Sequence, residues 1–287
     1  MNVLRVVTMA LGLLALGSVS ARAYKRATVD GTTDIYLYWS VRRVDYYVNH
    51  RGSEDVSLQE ALGAIRRSFF TWAAPSCTDV YFNFAGMTTT DRSNLSSPQS
   101  DPDKKNVIIW REEAWPPAGA TDDGSVTSDM AALTVIVYNA DSGEIIDADI
   151  DLNGHDFFWT TTDDKTKSAT DVQNVVTHEA GHLIGFAHSS VPEATMFGAT
   201  PQGELDKRVL HQDDLDALCT VYPYDAPTPL GPDQPSPKGE VQGATGCAAA
   251  GGATARAGAV TALLFFALAA LALAGARALR RRRRRAR

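Results

Sequence analysis

The sequence is poor in cysteine, and its central part is poor in basic residues. Three cysteines among 287 residues exclude a disulfide-dense mini-protein. Residues 1–23 and 247–287 contain no acidic residue but hold 11 of the 27 lysines and arginines. The central part therefore has 16 basic against 34 acidic residues, a net charge of −18. Because nucleic-acid binding depends on cationic side chains, this composition predicts no nucleic-acid partner.

The N-terminal segment, residues 1–23, has the three parts of a secretory signal peptide. Arg5 gives a short basic start, an apolar run extends from Val6 to Leu16, and Ala21 to Ala23 form a small-x-small cleavage site. A buried helix or a first membrane span is the alternative. The apolar run has only about half of the ~20 residues that a span needs, which favours export.

The C-terminal part has the composition of a linker and a membrane anchor. Residues 225–246 contain five prolines, which predicts an extended linker. Residues 257–276 form an uncharged run of 20 residues, followed by six arginines at 280–285. Such a run spans about 30 Å of hydrocarbon, although a soluble Ala-rich helix is the alternative. Because clustered arginine stays on the cytoplasmic side, we expect the preceding domain to lie outside.

Residues 247–287 also resemble a known bacterial tail. Gly246-Cys247, small residues up to 255, an apolar run and an arginine cluster are similar to the MYXO-CTERM sorting tail of myxobacteria. The resemblance implies that Cys247 is the processing and attachment point. It also implies that the protein is anchored to the membrane at the cell surface.

Residues 24–224 are predicted to form one α/β domain. Ser57 and Glu60 form an S-x-x-E capping box, and an apolar stripe at helical spacing runs from Leu58 to Trp72. Four stretches rich in Val, Ile and aromatic residues predict strands: Asp45 to Val48, Val80 to Phe84, Asn106 to Trp110 and Ala132 to Tyr138.

Aspartates alternate with apolar residues in the stretch 141–153. Asp147, Asp149 and Asp151 would share one face of a strand, and the pattern predicts that this face is solvated. Calcium binding is the alternative, because carboxylate oxygens ligate Ca²⁺. Asp149, Asp151, Asn153 and Gly154 match the first half of an EF-hand loop, but Thr160 stands where the closing Glu is required.

A second predicted helix, residues 171–184, carries the chemistry. His178 and His182 are four residues apart, so their imidazoles lie on one helix face and can reach one cation. Gly185 then permits a sharp turn, which can bring His188 to the same ion. Three neutral imidazoles with one open position are typical of catalytic zinc, and Glu179 lies beside them.

The string from His178 to His188 matches HExxHxxGxxH, and the chain resembles the matrixin branch of the metzincin metallopeptidases over most of residues 40–224. The resemblance implies that Met196 forms the Met-turn beneath the zinc and that Asp213 and Asp214, at the start of the last helix, brace that turn. It implies an α/β (α+β) fold: a twisted, mixed five-stranded sheet with two long helices and a small lower subdomain that ends in a helix.

Two features depart from the family pattern. Matrixin precursors have a propeptide whose cysteine caps the zinc, and no cysteine lies between Ala23 and the first predicted strand. Matrixins also hold a structural zinc upstream of the catalytic helix. His155 and Asp156 are the only nearby candidates and are adjacent rather than spaced as in the family. We therefore expect neither that latency mechanism nor a second zinc.

Cys77 and Cys219 remain in the predicted domain once Cys247 is assigned to the tail. A disulfide between them would close a loop of about 140 residues and, on the entropic model, stabilise the fold by about 4–5 kcal/mol. Two separate buried thiols are the alternative, and an oxidising compartment favours the disulfide.

The sequence thus predicts a monomeric, exported and surface-anchored zinc endopeptidase with one catalytic Zn²⁺, Glu179 as general base and protein or peptide substrates. The alternative is a non-catalytic adhesion or binding module on the same scaffold. Intact Glu179 favours the enzyme.

Overall fold

The structure is a computed structural model that describes residues 23–30, 32–93, 103–117, 120, 126–163 and 169–230, and the backbone of residues 240–249. The predicted signal peptide up to residue 22, the predicted span at 257–276 and the arginine cluster lie outside these residues. None of the helices in the described part is both long and apolar enough to cross a membrane.

The chain forms eleven strands and three α-helices within the described residues. The strands are β1 (Lys25–Arg26), β2 (Arg43–Asn49), β3 (Tyr81–Thr88), β4 (Asn106–Trp110), β5 (Met130–Asn139), β6 (Ile145–Leu152), β7 (Trp159–Thr160), β8 (Thr170–Asp171), β9 (Phe186–Ala187), β10 (Ala199–Thr200) and β11 (Glu240–Ala249). The helices are α1 (Leu58–Ala73), α2 (Val172–Leu183) and α3 (Gln212–Val221), with a 3-10 turn at Asp206–Arg208. All four predicted strands overlap strands of the structure.

The centre of the fold is a five-stranded mixed sheet in the order β3-β2-β4-β6-β5. Neighbours pair in parallel from β3 to β6, whereas β5 is antiparallel to β6. Helices α1 and α2 pack on each other, and α2 also packs on β5 and β6. The predicted five-stranded α/β fold is confirmed. Two further strands extend the sheet beyond β5, since β11 pairs with β5 and β10 pairs with β11.

Helix α1 begins where the sequence predicts. The Ser57 side chain accepts a hydrogen bond from the backbone of Glu60, and the Glu60 side chain accepts one from the backbone of Ser57. The capping box satisfies two backbone donors that a helix start otherwise leaves unpaired. Ile65, Phe69 and Trp72 are buried against the core, so the helical spacing of apolar residues identifies the packed face correctly.

The predicted solvated face of β6 is wrong. The three alternating carboxylates are at most 3% exposed: Asp147, Asp149 and Asp151. Asp147 Oδ2 accepts from the backbone N–H of Lys104 at 3.1 Å, and Asp149 Oδ1 accepts from that of Val107 at 2.8 Å. Arg111 Nε donates to Asp151 Oδ1 at 2.6 Å. These carboxylates are dry because the segment 103–111, which includes the neighbouring strand β4, supplies donors that replace water.

A disulfide joins the two halves of the domain. Cys77 lies just after α1 and Cys219 lies in α3, and their Cα atoms are 5.3 Å apart. The backbone N–H of Tyr224 also donates to the Cys77 carbonyl at 2.9 Å. The end of the lower subdomain is thus fixed to the sheet-and-helix layer.

Candidate metal centre

Helix α2 is buried over its whole length of 12 residues. The Asp171 carboxylate caps its first turn by accepting from the Asn174 N–H at 2.7 Å. The helix stops before Gly185, whose φ of +88° is open mainly to glycine. A Cβ there would lie 2.6 Å from the Leu37 carbonyl oxygen. The turn at Gly185 reverses the chain, so that the following residues lead to His188 beside the helix.

The turn brings together the histidine centre, which consists of His178, His182 and His188. One ring nitrogen of each residue lies within 4.8 Å of those of the other two. The Nε2 atoms of His182 and His188 are 3.2 Å apart. His178 Nε2 is buried and has no hydrogen-bond partner. A buried nitrogen left without a partner and facing two others fits a site for one metal ion.

Backbone carbonyls hold two of these rings in a defined orientation. His178 Nδ1 lies 2.6 Å from the Thr195 carbonyl oxygen, and His182 Nδ1 lies 2.7 Å from that of Phe186. A carbonyl only accepts, so each Nδ1 carries the proton and each Nε2 presents its lone pair. This is the arrangement in which imidazole ligates zinc, with the second nitrogen fixed by an outer partner.

The surroundings keep the imidazoles neutral. Burial lowers the pKa of His182 to about 3, and the neighbouring His188 adds to the effect. Burial, followed by the nearby His182, lowers the pKa of His178 well below its ordinary value. Burial also lowers the pKa of His188, with Lys207 contributing. Only a neutral imidazole has the free lone pair that a metal ion requires, so all three rings are prepared for ligation.

Glu179 lies on the same helix, is fully buried and contacts Thr134 of strand β5. The Thr134 hydroxyl donates to Glu179 Oε2 at 2.6 Å and lies 3.3 Å from the Glu179 carbonyl oxygen. Thr134 therefore fixes one carboxylate oxygen of the predicted base. The sequence did not single out Thr134, because it lies 45 residues from Glu179 in a strand whose pattern shows only apolar burial.

Met196 lies beneath helix α2, and Gly181 makes the close approach possible. A Cβ on Gly181 would lie 2.2 Å from Met196 Sδ and 2.8 Å from Trp72 Cζ2. The Trp72 indole is fixed by its N–H, which donates to the Thr177 carbonyl at 2.7 Å. The sequence pattern did not single out Gly181. Its signal was a glycine inside a helix, which costs about 1 kcal/mol relative to alanine and so requires a packing reason.

The predicted acidic pair contacts the turn that carries Met196. Asp214 accepts from the backbone N–H groups of Thr195 and Met196 at 2.7 and 3.0 Å. Asp213 Oδ2 accepts from the Ser189 hydroxyl at 2.6 Å. Burial raises the pKa of Asp214, and the backbone donors oppose the rise. Both carboxylates thus hold the segment 189–196 in place below the histidines.

Lys207 was also missed by sequence reasoning. It is 2% exposed, and its Nζ donates to the carbonyls of Phe197 and Ala199 and to the Thr200 hydroxyl. Three acceptors match the three donors of an ammonium group. This lysine therefore fixes the segment 197–200 that follows the Met196 turn, including β10.

The remaining predicted metal sites are not assembled in the same way. His155 Nδ1 lies 3.1 Å from Asp156 Oδ1 on a turn after β6. In the described part of the chain, the histidine centre is the group of three side chains whose ligand atoms converge, and the β6 aspartates form no such group. Calcium stays a prediction that these contacts do not support.

Known proteins resemble the region that contains this centre. Residues 121–223 match the family model for Matrixin. The chain is 43% identical over 72 residues to human matrix metalloproteinase-25, which is 22% of this chain and 13% of that protein. Metalloendoproteinase 1 of Glycine max is 39% identical over 71 residues, or 23% of each chain.

Karilysin of Tannerella forsythia is 26% identical over 209 residues, which is 71% of this chain and 38% of karilysin. The chain thus spans less than two-fifths of the length of each of these three relatives. The Matrixin match contains all three histidines, Glu179, Met196 and the acidic pair. The five-stranded fold and this match thus make the region around the histidine centre similar to Matrixin.

Proposed function

We propose that the protein is a zinc-dependent endopeptidase. The observation that carries the proposal is the histidine centre: ring nitrogens that converge within 4.8 Å, with the buried His178 Nε2 lacking a hydrogen-bond partner. Glu179 follows the first of these histidines in the helix and is held by Thr134. Histidine ligands beside a carboxylate base are the donor set of a hydrolytic zinc site.

The chain's own residues divide the work. His178, His182 and His188 would hold Zn²⁺ through Nε2 of the first two and the converging nitrogen of the third. Bound zinc supplies Lewis-acid chemistry, which polarises a carbonyl and makes water nucleophilic at neutral pH. Glu179 accepts the proton of the attacking water at its carboxylate and returns it to the leaving amine nitrogen. Thr134 orients that carboxylate by its hydrogen bond to Oε2.

The substrate is proposed to be an extended protein or peptide segment. Strand β5 is the last strand of the five-stranded part of the sheet and carries Thr134 next to Glu179. In the structure its outer side is paired with β11. Without β11, this side of β5 would offer unpaired N–H and C=O groups to an added strand. A peptide that pairs with β5 would place its backbone beside the proposed base, without requiring any particular side chain.

We also propose that the domain works outside the cytoplasm as a monomer, anchored by the C-terminal tail. The Cys77–Cys219 disulfide supports an oxidising compartment. Residues 1–23 support export and residues 247–287, with Cys247 as processing point, support anchoring. Protease treatment of intact cells tests this location, because an anchored external domain is lost from the cells and a cytoplasmic one is protected.

The decisive experiment compares the full chain with Glu179→Gln on a quenched fluorescent peptide. We expect the variant to keep one zinc equivalent, because no ligand is removed. Its kcat should fall by roughly 10²–10⁴, the usual contribution of a general base. A chelator should stop the parent, and added Zn²⁺ should restore it. Bound zinc without hydrolysis in the parent would favour the binding-module alternative, and full activity of Glu179→Gln would contradict the proposed role.

A further inference from the structure

The edge of β5, where a peptide would bind, is covered by a segment of the same chain. We propose that residues 240–249, strand β11, are a ligand of the candidate cleft and exclude peptide substrates from it until they detach. The proposal builds on the proposed peptidase function, since it concerns the cleft of that enzyme. On this proposal, the C-terminal segment controls the access of peptide substrates to the cleft.

The pairing of β11 with β5 uses the groups that a peptide substrate would need. β11 runs antiparallel to β5 from Glu240 opposite Asn139 to Ala248 opposite Met130. This register covers the full length of β5. A strand edge can pair with one partner at a time, so a peptide and β11 cannot bind there together.

The position of β11 places its middle beside the proposed base. Thr245 pairs with Thr134, and the Thr134 hydroxyl donates to Glu179 Oε2 at 2.6 Å. The backbone of β11 thus passes the same point of β5 that would orient a substrate. The segment therefore lies at the proposed catalytic site and not at a distant end of the sheet.

The other side of β11 contacts a second rim of the cleft. β10 pairs in parallel with the end of β11, Ala199 opposite Ala248 and Thr200 opposite Ala249. β10 follows the Met196 turn, and Lys207 fixes it through the Ala199 carbonyl and the Thr200 hydroxyl. The segment therefore lies between β5 and a rigid piece of the lower subdomain, as an extended ligand would.

The tether makes this self-association effective. Only nine residues separate Leu230 from Glu240, and a short tether gives a local concentration on the order of mM. A free peptide at micromolar concentration would have to compete for β5 with this local concentration of β11. If the local concentration exceeds the dissociation constant of the segment about tenfold, the apparent KM of the full chain rises by roughly the same factor.

The test uses the full chain and the double variant Ala244→Pro/Thr245→Pro. Successive residues of a strand point their N–H groups in opposite directions, so one of the two prolines removes a donor to β5. The matched control Ala244→Ser/Thr245→Ser keeps both N–H groups. Amide hydrogen exchange of residues 130–139 reports whether β5 is covered. We expect faster exchange in the proline variant and unchanged exchange in the serine variant.

Two further readouts measure the exclusion itself. A labelled peptide with the sequence of residues 240–249 should bind the proline variant and be excluded from the parent, by fluorescence anisotropy in a Glu179→Gln background. In active protein, the proline variant should show a KM for the fluorescent peptide about tenfold lower, with kcat unchanged.

Equal exchange in parent and proline variant would overturn the proposal, and so would equal peptide binding. Exclusion of the labelled peptide without any hydrolysis would instead uphold the proposal and reject the peptidase function, so the two failures are distinguishable.

Discussion

The histidine centre and the acidic face of β6 are both groups of buried titratable side chains, but they use their polar atoms differently. His178 and His182 each turn Nδ1 to a carbonyl and leave Nε2 toward a shared space. The carboxylates of Asp147 and Asp149 each accept from a different donor of the segment 103–111. Burial is therefore common to both regions. Convergence on one space distinguishes a ligand site from a structural contact.

The difference matters energetically because the two groups compensate burial in different ways. In each β6 carboxylate at least one oxygen has replaced its water by a protein donor. His178 Nε2 has no such replacement, and a metal ion would supply it. The β6 contacts should accordingly contribute to folding, and the histidine contacts to metal affinity and catalysis.

The largest expected effect separates the two regions by metal binding. His182→Gln removes one ligand while roughly keeping the volume of the side chain. We expect the variant to lose zinc on dialysis and its hydrolysis to fall to background, measured by metal analysis and the peptide assay. Its urea unfolding in chelator should stay close to that of the parent. One zinc equivalent retained with full activity would show that the metal site lies elsewhere.

The converse change is Asp151→Asn on the acidic face. It leaves the largely buried Arg111 guanidinium without its carboxylate, and breaking a buried ion pair costs about 3–5 kcal/mol. We expect that loss in the free energy of urea unfolding, with the zinc content and the kcat of the folded fraction unchanged. A free energy of unfolding equal to that of the parent would mean that the ion pair does not stabilise the fold. A loss of zinc would mean that the β6 aspartates also contribute to metal binding.

The spacing of residues in the sequence predicted the features that are formed by residues close in sequence. The helix-turn that carries His178, His182 and His188 lies within eleven residues, so the 3.6-residue period and Gly185 were sufficient to bring the ligands together. The capping box of α1 was likewise readable, because Ser57 and Glu60 are three residues apart. The five-stranded fold followed from the family resemblance rather than from the strand patterns.

Contacts between residues that are distant in sequence could not be predicted from the sequence patterns. A strand with period two gives the same pattern whether its polar side chains meet water or protein donors, so the hydrogen bonds from residues 103–111 to the β6 aspartates escaped prediction. Thr134 and Lys207 were missed for the same reason, since their partners are distant in sequence or are backbone carbonyls. The pairing of β11 with β5 was hidden because the predicted linker ended at residue 246, within that strand.

A smaller effect is expected from Gly181→Ala, which tests the floor of the histidine centre. The new methyl group would meet Met196 Sδ at 2.2 Å and Trp72 at 2.8 Å. Overpacking of this kind costs about 1–3 kcal/mol, and the flexible Met196 can absorb part of it. We expect that loss in urea unfolding, together with weaker zinc binding in a competition titration. The double variant Gly181→Ala/Met196→Ala should regain part of the stability, and no recovery would place the clash elsewhere.

The smallest expected effect is a pH dependence of the free energy of unfolding. Its sign differs between the histidine centre and the acidic face of β6. Burial lowers the pKa of His182 to about 3, against about 6.5 in an unfolded chain. Between these values the unfolded state binds a proton that the folded state does not, so stability decreases as the pH falls. One such histidine contributes about 1.4 kcal/mol per pH unit. Urea unfolding in chelator at pH 7.5 and 5.5 should show a steeper loss for the parent than for His182→Gln.

Asp151 should act in the opposite direction. Burial raises its pKa, although Arg111 opposes the rise, so the folded state takes up the proton at a higher pH than the unfolded state. This group therefore adds stability as the pH falls toward its ordinary value. Asp151→Asn should make the acid loss steeper than in the parent, whereas His182→Gln makes it shallower. Identical slopes in the three proteins would show that neither burial changes proton affinity, and the electrostatic contrast between the two regions would be lost.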